Sequence, residues 1–442
     1  MKLERIICLL AFVLLAAGCN RGVNQPTDED LSYRMSTIFC KTRDEVREYI
    51  QQYIPGVTEE QIDKWTAEGK LEAMEIDSEL RYFKRSPANL FLLDSTCNAA
   101  KFGIQEGLSA DDSTEISLWR SLIAECDSTH RPFGLAEKVR VKHSITVNAD
   151  AVPAGKTIRC WLPVPRRDVK RQKGLEIVGT SEPDYRLADI KAPHSSVYLE
   201  HKAEAGKPTE FWVEYEFTVC GEFHDLSCMK SAAYDKSSAL YKRFTAEQAP
   251  HIVFTEQMRH LSDSLTRGIQ NPVDKAKAIF AWVSDSFPWA GSRDYSTYPC
   301  IPEYVLESGH GDCGQVTLLF MTLSRIAGIP CRWQSGLIIP RSGWNMHDWC
   351  EAYFEGIGWV PVDQSAGVPT YASEYPEFTW INLGSKEPLQ ISINNEWGKP
   401  LQPAKKYTRS ETVDFQAGEV EWAGGNLYTD KWNWDLNIEY LN

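Results

Sequence analysis

The chain has 442 residues, of which 43% are hydrophobic and 24% are charged, a composition typical of globular proteins with apolar cores. This length predicts several domains, since a single domain usually holds about 100 to 200 residues. The net charge of −14 argues against a nucleic-acid-binding surface, and we expect the one basic run, residues 166–171, to be a solvated loop.

The first residues indicate export from the cytoplasm. Two basic residues precede an apolar run over residues 6–17, which is too short to span a bilayer. The run ends in LAAGC at residues 15–19, which resembles a bacterial lipoprotein signal in which Cys19 becomes lipidated. We therefore expect a signal peptide over residues 1–18 and a lipid-anchored protein of the bacterial cell envelope, on its periplasmic or cell-surface face. A plain secretory signal with an incidental cysteine is the alternative.

Residues 19–130 are expected to form a tether, up to about residue 32, followed by a mainly helical domain. Helices are predicted over residues 42–54 and 58–69, because each begins with a threonine cap and acidic residues in the first turn. A small hairpin turning at residues 77–78 and a helix over residues 115–126 complete this module.

The hydrophobic period changes to two after residue 137. Apolar residues alternate with polar ones over residues 139–147 and 211–219, as expected for half-buried strands. With strand-like segments between them, this pattern predicts an immunoglobulin-like β-sandwich over residues 135–230.

A thiol at a helix start is the most informative feature of the next segment, residues 235–375. The run GHGDCG at residues 309–314 precedes an apolar helix that ends at Gly328. A cysteine in the first turn of a helix is stabilised as a thiolate by backbone N–H groups and the helix dipole. Cys313 is therefore the candidate nucleophile.

Two further groups that a cysteine hydrolase needs follow in the order of the chain. His347 and Asp363 lie in consecutive predicted strands, and antiparallel pairing of those strands would bring the two side chains together. An imidazole beside a thiol acts as a base, and a carboxylate orients the imidazole.

Four short motifs carry a resemblance to a known family. They are GDC at residues 311–313, GIPCR at 328–332, HDW at 347–349 and GWVPVD at 358–363. Their order and spacing resemble the transglutaminase-like family, which has a papain-like catalytic core. The resemblance implies Cys313 as nucleophile, His347 as general base and acid, and Asp363 as the group that orients His347.

The same resemblance suggests roles for two tryptophans. Trp289 lies where related enzymes place an oxyanion-stabilising tryptophan, and a simple core role is the alternative. Trp344 is expected to line the substrate cleft. His310 stands near Cys313, but no second close pair accompanies it, so we expect no metal and no other cofactor.

The final segment, residues 376–442, is expected to be a β segment that packs on an earlier domain, since apolar residues alternate strictly over residues 432–440. Export permits disulfides, and Cys220 with Cys228 or Cys40 with Cys97 could pair. Cys331 and Cys350 are expected to be buried thiols.

Together these features predict an α+β protein with a transglutaminase-like, papain-like core, a β-sandwich and an N-terminal helical module. We expect an exported thiol hydrolase that cleaves peptide or isopeptide bonds through a Cys313 acyl-enzyme. Acyl transfer to an amine and a catalytically silent binding module are the alternatives. The expected partners are a peptide or protein substrate and, through Cys19, a membrane, but not nucleic acid.

Overall fold

The computed structural model describes residues 27–104, 107–227, 229–413 and 415–441. The N-terminal module contains a hairpin, β1 and β2, among six helices: α1 (Asp28–Ile38), α2 (Arg43–Gln51), α3 (Glu59–Ala67), β1 (Ala73–Ile76), β2 (Glu79–Tyr82), α4 (Ser86–Leu93), α5 (Ser95–Phe102) and α6 (Ala110–Thr129).

Threonine caps define the first three helices. Thr27, Thr42 and Thr58 each accept a hydrogen bond from the backbone three residues on, and the side chain there bonds back to the cap. The predictions for α2 and α3 are therefore confirmed. The expected tether was too long, however, because the Thr27 capping box starts α1 at Asp28.

The middle of the chain contains strands only: β3 (Phe133–Val147), β4 (Thr157–Pro163), β5 (Gln172–Thr180), β6 (Arg186–Leu187), β7 (Ser196–Lys202) and β8 (Thr209–Phe223). Helices and a three-stranded meander follow: α7 (Ala239–Phe244), α8 (Glu256–Leu265), α9 (Pro272–Ser286), α10 (Ile301–Ser308), α11 (Cys313–Ile326), β9 (Cys331–Ile338), β10 (Asn345–Phe354) and β11 (Gly358–Val362). The last strands are β12 (Ser385–Lys386), β13 (Gln390–Asn394), β14 (Glu419–Trp422), β15 (Gly425–Leu427) and β16 (Trp432–Tyr440).

Two five-stranded antiparallel sheets form a β-sandwich. One has the order β12-β8-β3-β16, with β5 also paired to β8, and the other has the order β15-β14-β4-β7-β6. Apolar side chains of both sheets, among them Val141, Phe217 and Trp161, share one buried core. Alternation along β3 and β8 explains this arrangement, since every second residue faces inward.

Strands from the end of the chain complete both sheets. β16 pairs with β3 along its whole length, from Trp432 opposite Val147 to Tyr440 opposite Val139. β14 pairs with β4, and β12 pairs with β8. The sandwich that the sequence suggests for residues 135–230 thus also contains strands that lie from residue 385 onward.

A third sheet, with the order β11-β10-β9-β13, carries the meander that follows α11. Helix α11 lies against β9 and β10 with residues 314–325 all buried, so it is enclosed on every side. The apolar helix expected before Gly328 is therefore buried on all of its faces. Because α11 is packed on every side, its first residue, Cys313, has a fixed position.

The basic run is not the solvated loop expected from the sequence. Arg166 and Arg171 are buried, and both guanidinium groups donate to backbone carbonyl oxygens, including Ala192 O at 2.7 Å and Gln390 O at 2.7 Å. Several fixed carbonyl acceptors compensate the loss of water around each charge, which is the condition for burying it.

The thiols show no disulfide between Cys40 and Cys97, so that suggested pair is wrong: Cys40 is exposed and Cys97 is buried, and both are free. Cys220 is also a free thiol, while Cys228 lies outside the described residues. Cys331 and Cys350 are buried free thiols, as expected. Across the described ranges, no helix has the length and apolar character needed to cross a bilayer.

Candidate functional site

Cys313 is the first residue of α11. The Asp312 side chain caps the helix by accepting from the Gln315 N–H at 3.2 Å, and the Gln315 side chain accepts from the Asp312 N–H at 3.1 Å. This reciprocal cap fixes the start of the helix. It holds the Cys313 thiol where unsatisfied N–H groups and the helix dipole favour negative charge.

The loop before α11 is tied to the segment that carries Trp289. The Ala290 N–H donates to Gly311 O at 3.2 Å, and the Gly311 N–H donates to Pro288 O at 3.3 Å. This short parallel bridge holds Trp289 at the mouth of the cavity described below, with 42% of its surface exposed.

His347 and Asp363 meet at the ends of β10 and β11. The two strands are antiparallel, and His347 Nε2 lies 2.7 Å from Asp363 Oδ2. The bond to Asp363 occupies Nε2, so Nδ1 is the ring nitrogen that can exchange a proton with another group.

Asp363 accepts from two further side chains that lie later in the sequence. Lys386 Nζ is 2.8 Å and Gln390 Nε2 is 3.2 Å from Asp363 Oδ2. Burial alone would raise the pKa of Asp363, but the charges and hydrogen bonds of His347 and Lys386 hold that pKa well below its usual range. The carboxylate is therefore ionised throughout the neutral range.

Aromatic packing fixes the orientation of the histidine. Its ring stacks on Trp349, with centroids 5.9 Å apart and planes at 27°, and Lys386 Nζ lies 3.9 Å from the Trp349 centroid. His347, Asp363, Lys386 and Trp349 thus form one packed group.

A second acidic group contacts the Cys313 thiol from the other face of β10. Asp348 Oδ2 accepts a hydrogen bond from the Cys313 thiol at 3.6 Å, and Gln416 Nε2 donates to Oδ1 of the same carboxyl group. Sequence reasoning assigned no role to Asp348, although its position directly after His347 was a usable signal.

Tyr295 connects Asp348 to the helix cap. Its hydroxyl lies within hydrogen-bond distance of both the Asp312 and Asp348 carboxyl groups, and it accepts from the Gly314 N–H at 3.0 Å. Burial and the neighbouring charge of Asp312 raise the pKa of Asp348 well above its usual range. The two carboxyl groups therefore bind at least one proton between them near neutral pH.

One cavity of about 460 Å³ brings the candidate residues together. Cys313, His347 and Trp289 all line it, next to Asp312 and Asp348. The N-terminal module contributes Arg34 and Arg85, and the C-terminal segment contributes residues such as Gln416 and Trp434. A site of this size and composition can hold a peptide segment against the thiol.

Other candidates from the sequence lie as follows. Trp344 packs on Trp434, with ring centroids 4.7 Å apart, and Trp434 forms part of the cavity wall.

Cys19 lies outside the described residues. His310 is buried, which lowers its pKa to about 4. In the part of the chain that the structure describes, no His, Cys, Asp and Glu side chains group in a way suited to a metal ion.

Residues 259–364, which contain Cys313, His347 and Asp363, match the family model of the transglutaminase-like superfamily.

Two curated relatives match parts of the chain. A 135-residue stretch is 27% identical to YebA, an uncharacterized protein of Bacillus subtilis (strain 168), and covers 25% of this chain but only 18% of that protein. A 305-residue stretch is 23% identical to an uncharacterized protein of Haemophilus influenzae (strain ATCC 51907 / DSM 11121 / KW20 / Rd), and covers 61% of this chain and 74% of the relative. The chain thus spans less than a fifth of the Bacillus protein.

Solved structures with similarity to the chain include a candidate cysteine protease of Cytophaga hutchinsonii. Its TM-score is 0.47 at 15% identity, over 70% of this chain and 92% of that chain. The periplasmic domain of TgpA from Pseudomonas aeruginosa has a TM-score of 0.30 at 16% identity, over 55% of this chain and 98% of that chain.

Proposed function

We propose that the protein is a thiol hydrolase that cleaves peptide or isopeptide bonds through an acyl-enzyme on Cys313, because residues 259–364 match the model of the transglutaminase-like superfamily. One observation carries the proposal: the helix-terminal thiol and His347 line the same cavity, and Asp363 lies 2.7 Å from the His347 ring. A nucleophile, a base and a group that orients the base are the minimum set for this chemistry.

In the proposed first step, His347 Nδ1 accepts the thiol proton and the Cys313 sulfur attacks the substrate carbonyl carbon. A C–S bond forms, and the carbonyl electrons move to oxygen. Collapse of this intermediate breaks the C–N bond, and the leaving amine takes the proton from the imidazolium. Asp363 stabilises the imidazolium and holds the tautomer with Nε2–H directed toward it.

In the second step, His347 removes a proton from water, and the resulting hydroxide attacks the thioester carbonyl carbon. The C–S bond breaks, the carboxylic acid leaves, and the proton returns to the sulfur. Backbone N–H groups at the start of α11 would stabilise the oxyanion in both steps, with the Trp289 indole as a second donor. An amine in place of water would give acyl transfer.

The test compares Cys313→Ala with the parent and with Cys40→Ala, which removes an exposed thiol far along the chain from the site. A peptide-based electrophile should label the parent and Cys40→Ala, with the adduct mapped to Cys313 by mass spectrometry. Cys313→Ala should lose this label and at least about a thousand-fold in turnover of a peptide library. Equal labelling or equal turnover in Cys313→Ala would refute the proposal.

We further propose that the enzyme acts outside the cytoplasm, anchored by lipid at Cys19. The apolar leader and the LAAGC run support this location. Cells grown with a labelled fatty acid should incorporate label into the parent chain, whereas Cys19→Ser should not be labelled and should leave the membrane fraction. Label retained in Cys19→Ser would contradict this proposal.

A further inference from the structure

The N-terminal module places an arginine at the mouth of the Cys313 cavity. Arg85 lines the cavity, and its guanidinium carbon lies 5.9 Å from the centre of the Trp289 ring. The guanidinium also packs on Gly291, where an added Cβ would come within 2.5 Å of the Arg85 Cζ. The absence of a side chain at Gly291 is therefore what allows the close approach of this cation.

A backbone clamp holds Arg85 in this position. Asn89, one helical turn further on, is buried; its Nδ2 donates to Gly291 O at 2.8 Å and its Oδ1 accepts from the Gly291 N–H at 2.9 Å. Arg85 is the N-cap residue of α4 and Asn89 lies in its first turn, and the Asn89 N–H donates to Arg85 O at 2.9 Å. The clamp thus fixes the helix turn that carries Arg85 to the loop that carries Trp289.

The other two arginines of the cavity wall already have carboxylate partners. Arg34 Nη2 lies 2.7 Å from Asp294 and 3.2 Å from Glu411, and Arg293 Nε lies 3.0 Å from Glu72. Arg85, by contrast, has an exposed side chain and forms no ion pair within the described residues. Its guanidinium therefore remains available to a ligand that enters the cavity.

The nearby Asp312 carboxyl group forms its hydrogen bonds with groups other than Arg85. Asp312 accepts from Ser292, Tyr295 and the Gln315 N–H. Burial raises the pKa of Asp312, and the positive charge of Arg85 opposes that rise without a direct hydrogen bond. A planar guanidinium held on an aromatic face suits bidentate binding of a carboxylate.

We propose that Arg85 binds a carboxylate of the substrate beside the scissile bond, so that the enzyme selects acidic peptides. This inference rests on the proposed function and adds a substrate class to it. The carboxylate can belong to an aspartate or glutamate side chain or to a free chain terminus, since both present the same two oxygens. The N-terminal module is thereby a part of the substrate site.

The test measures binding and cleavage of paired heptapeptides by the full chain. In one set a single position carries Glu or its isostere Gln, and in the other the C terminus is a free acid or an amide. Binding is measured on Cys313→Ala, so the result does not depend on turnover. We expect the preferred acid to bind about 10- to 100-fold more tightly than its neutral partner.

Arg85→Gln should bring this acid-to-neutral ratio close to one, and Arg85→Glu should instead favour peptides with Lys at the same position. Arg81→Gln, which changes another arginine of the same module, should keep the ratio of the parent. A response in the Glu/Gln set would indicate that Arg85 binds a side-chain carboxylate. A response in the free-acid/amide set would indicate that it binds a terminal carboxylate.

A ratio near one in Cys313→Ala itself, or a ratio unchanged by Arg85→Gln, would overturn the inference. So would equal losses for acidic and neutral peptides in Arg85→Gln, because a packing role for Arg85 would produce that result. Failure of the parent to cleave any peptide would count against the proposed function alone, since the binding ratios are obtained without cleavage.

Discussion

Lys386 donates a hydrogen bond to Asp363 at 2.8 Å, and both side chains are almost wholly removed from solvent. The lysine comes from β12, 23 residues after the aspartate, and its ammonium group also lies on the Trp349 ring. Asp363 is therefore shared between His347 and a buried cation. The aspartate that orients the candidate base has a structural counterion of its own.

Removing that counterion should weaken both the fold and the site. In Lys386→Met the buried Asp363 loses its lysine partner, so the free energy of unfolding should fall by roughly 3 to 5 kcal/mol. The pKa of Asp363 should rise toward its usual range, so the stability that ionised Asp363 contributes above that range, and therefore the loss of stability on acidification through this group, should be smaller than in the parent.

Urea unfolding at several pH values measures both effects of Lys386→Met. The double variant Lys386→Met/Asp363→Asn is the control, because it removes both charges together. It should be less destabilised than the sum of the two single variants predicts. Simple additivity would show that the buried pair is not energetically coupled.

Asp348 should make the stability of the folded protein depend on pH. Its raised pKa means that the folded protein binds a proton more tightly than the unfolded chain, so this carboxyl group lowers stability as pH rises above the usual aspartate pKa. Asp348→Asn removes that penalty and retains a hydrogen-bonding group beside the thiol. At pH 7 the variant should be at least as stable as the parent, with a flatter dependence on pH.

Where Asp348 is ionised, above neutral pH, the same substitution should lower the pKa of the Cys313 thiol, because it removes a negative charge that opposes the thiolate. The rate of Cys313 alkylation by iodoacetamide, followed from pH 5 to 9, should reach its half-maximum at lower pH in Asp348→Asn. An unchanged midpoint, with the fold intact, would mean that Asp348 acts on the thiol only through packing.

The buried histidine His143 should make the β-sandwich sensitive to acid. Its Nε2 lies 3.1 Å from Ala417 O, its ring stacks on Trp434, and burial lowers its pKa to about 4. The unfolded chain binds this proton near pH 6.5, so the stability contributed by neutral His143 is present above that pH and is lost as pH falls toward 4.

Lowering the pH from 7 to 5 should reduce the free energy of unfolding by roughly 2 kcal/mol through His143 alone. His143→Gln should reduce the loss by that amount, whereas His260→Gln, at an exposed position, should not change it. Urea midpoints at the two pH values measure the difference. An equal change of the urea midpoint between pH 7 and pH 5 in the parent and in both variants would contradict the prediction.

Local sequence signals predict the parts of the structure that depend on neighbouring residues. The caps of α2 and α3, the alternation along β3 and β8, and the start of α11 at Cys313 all follow from such signals. The meeting of His347 and Asp363 was also predictable, because two strands joined by a short turn pair antiparallel.

What the sequence could not predict depends on contacts across long stretches of chain. Lys386 and Gln390 reach Asp363 only because β12 and β13 join sheets built from earlier residues. Arg85 reaches the cavity through a clamp between positions 202 residues apart. The buried arginines of residues 166–171 were misjudged for the same reason, since their carbonyl acceptors lie far along the chain.

The pairing of β16 with β3 makes the sandwich depend on the last strand of the chain. Until residues 432–440 have paired, one edge of the long strand β3 has no neighbour, and its backbone amides and carbonyls are open to wrong pairing. A partly folded chain with a finished Cys313 helix would therefore still carry an incomplete sandwich. Proteolytic loss of those nine residues would return the folded protein to that vulnerable condition.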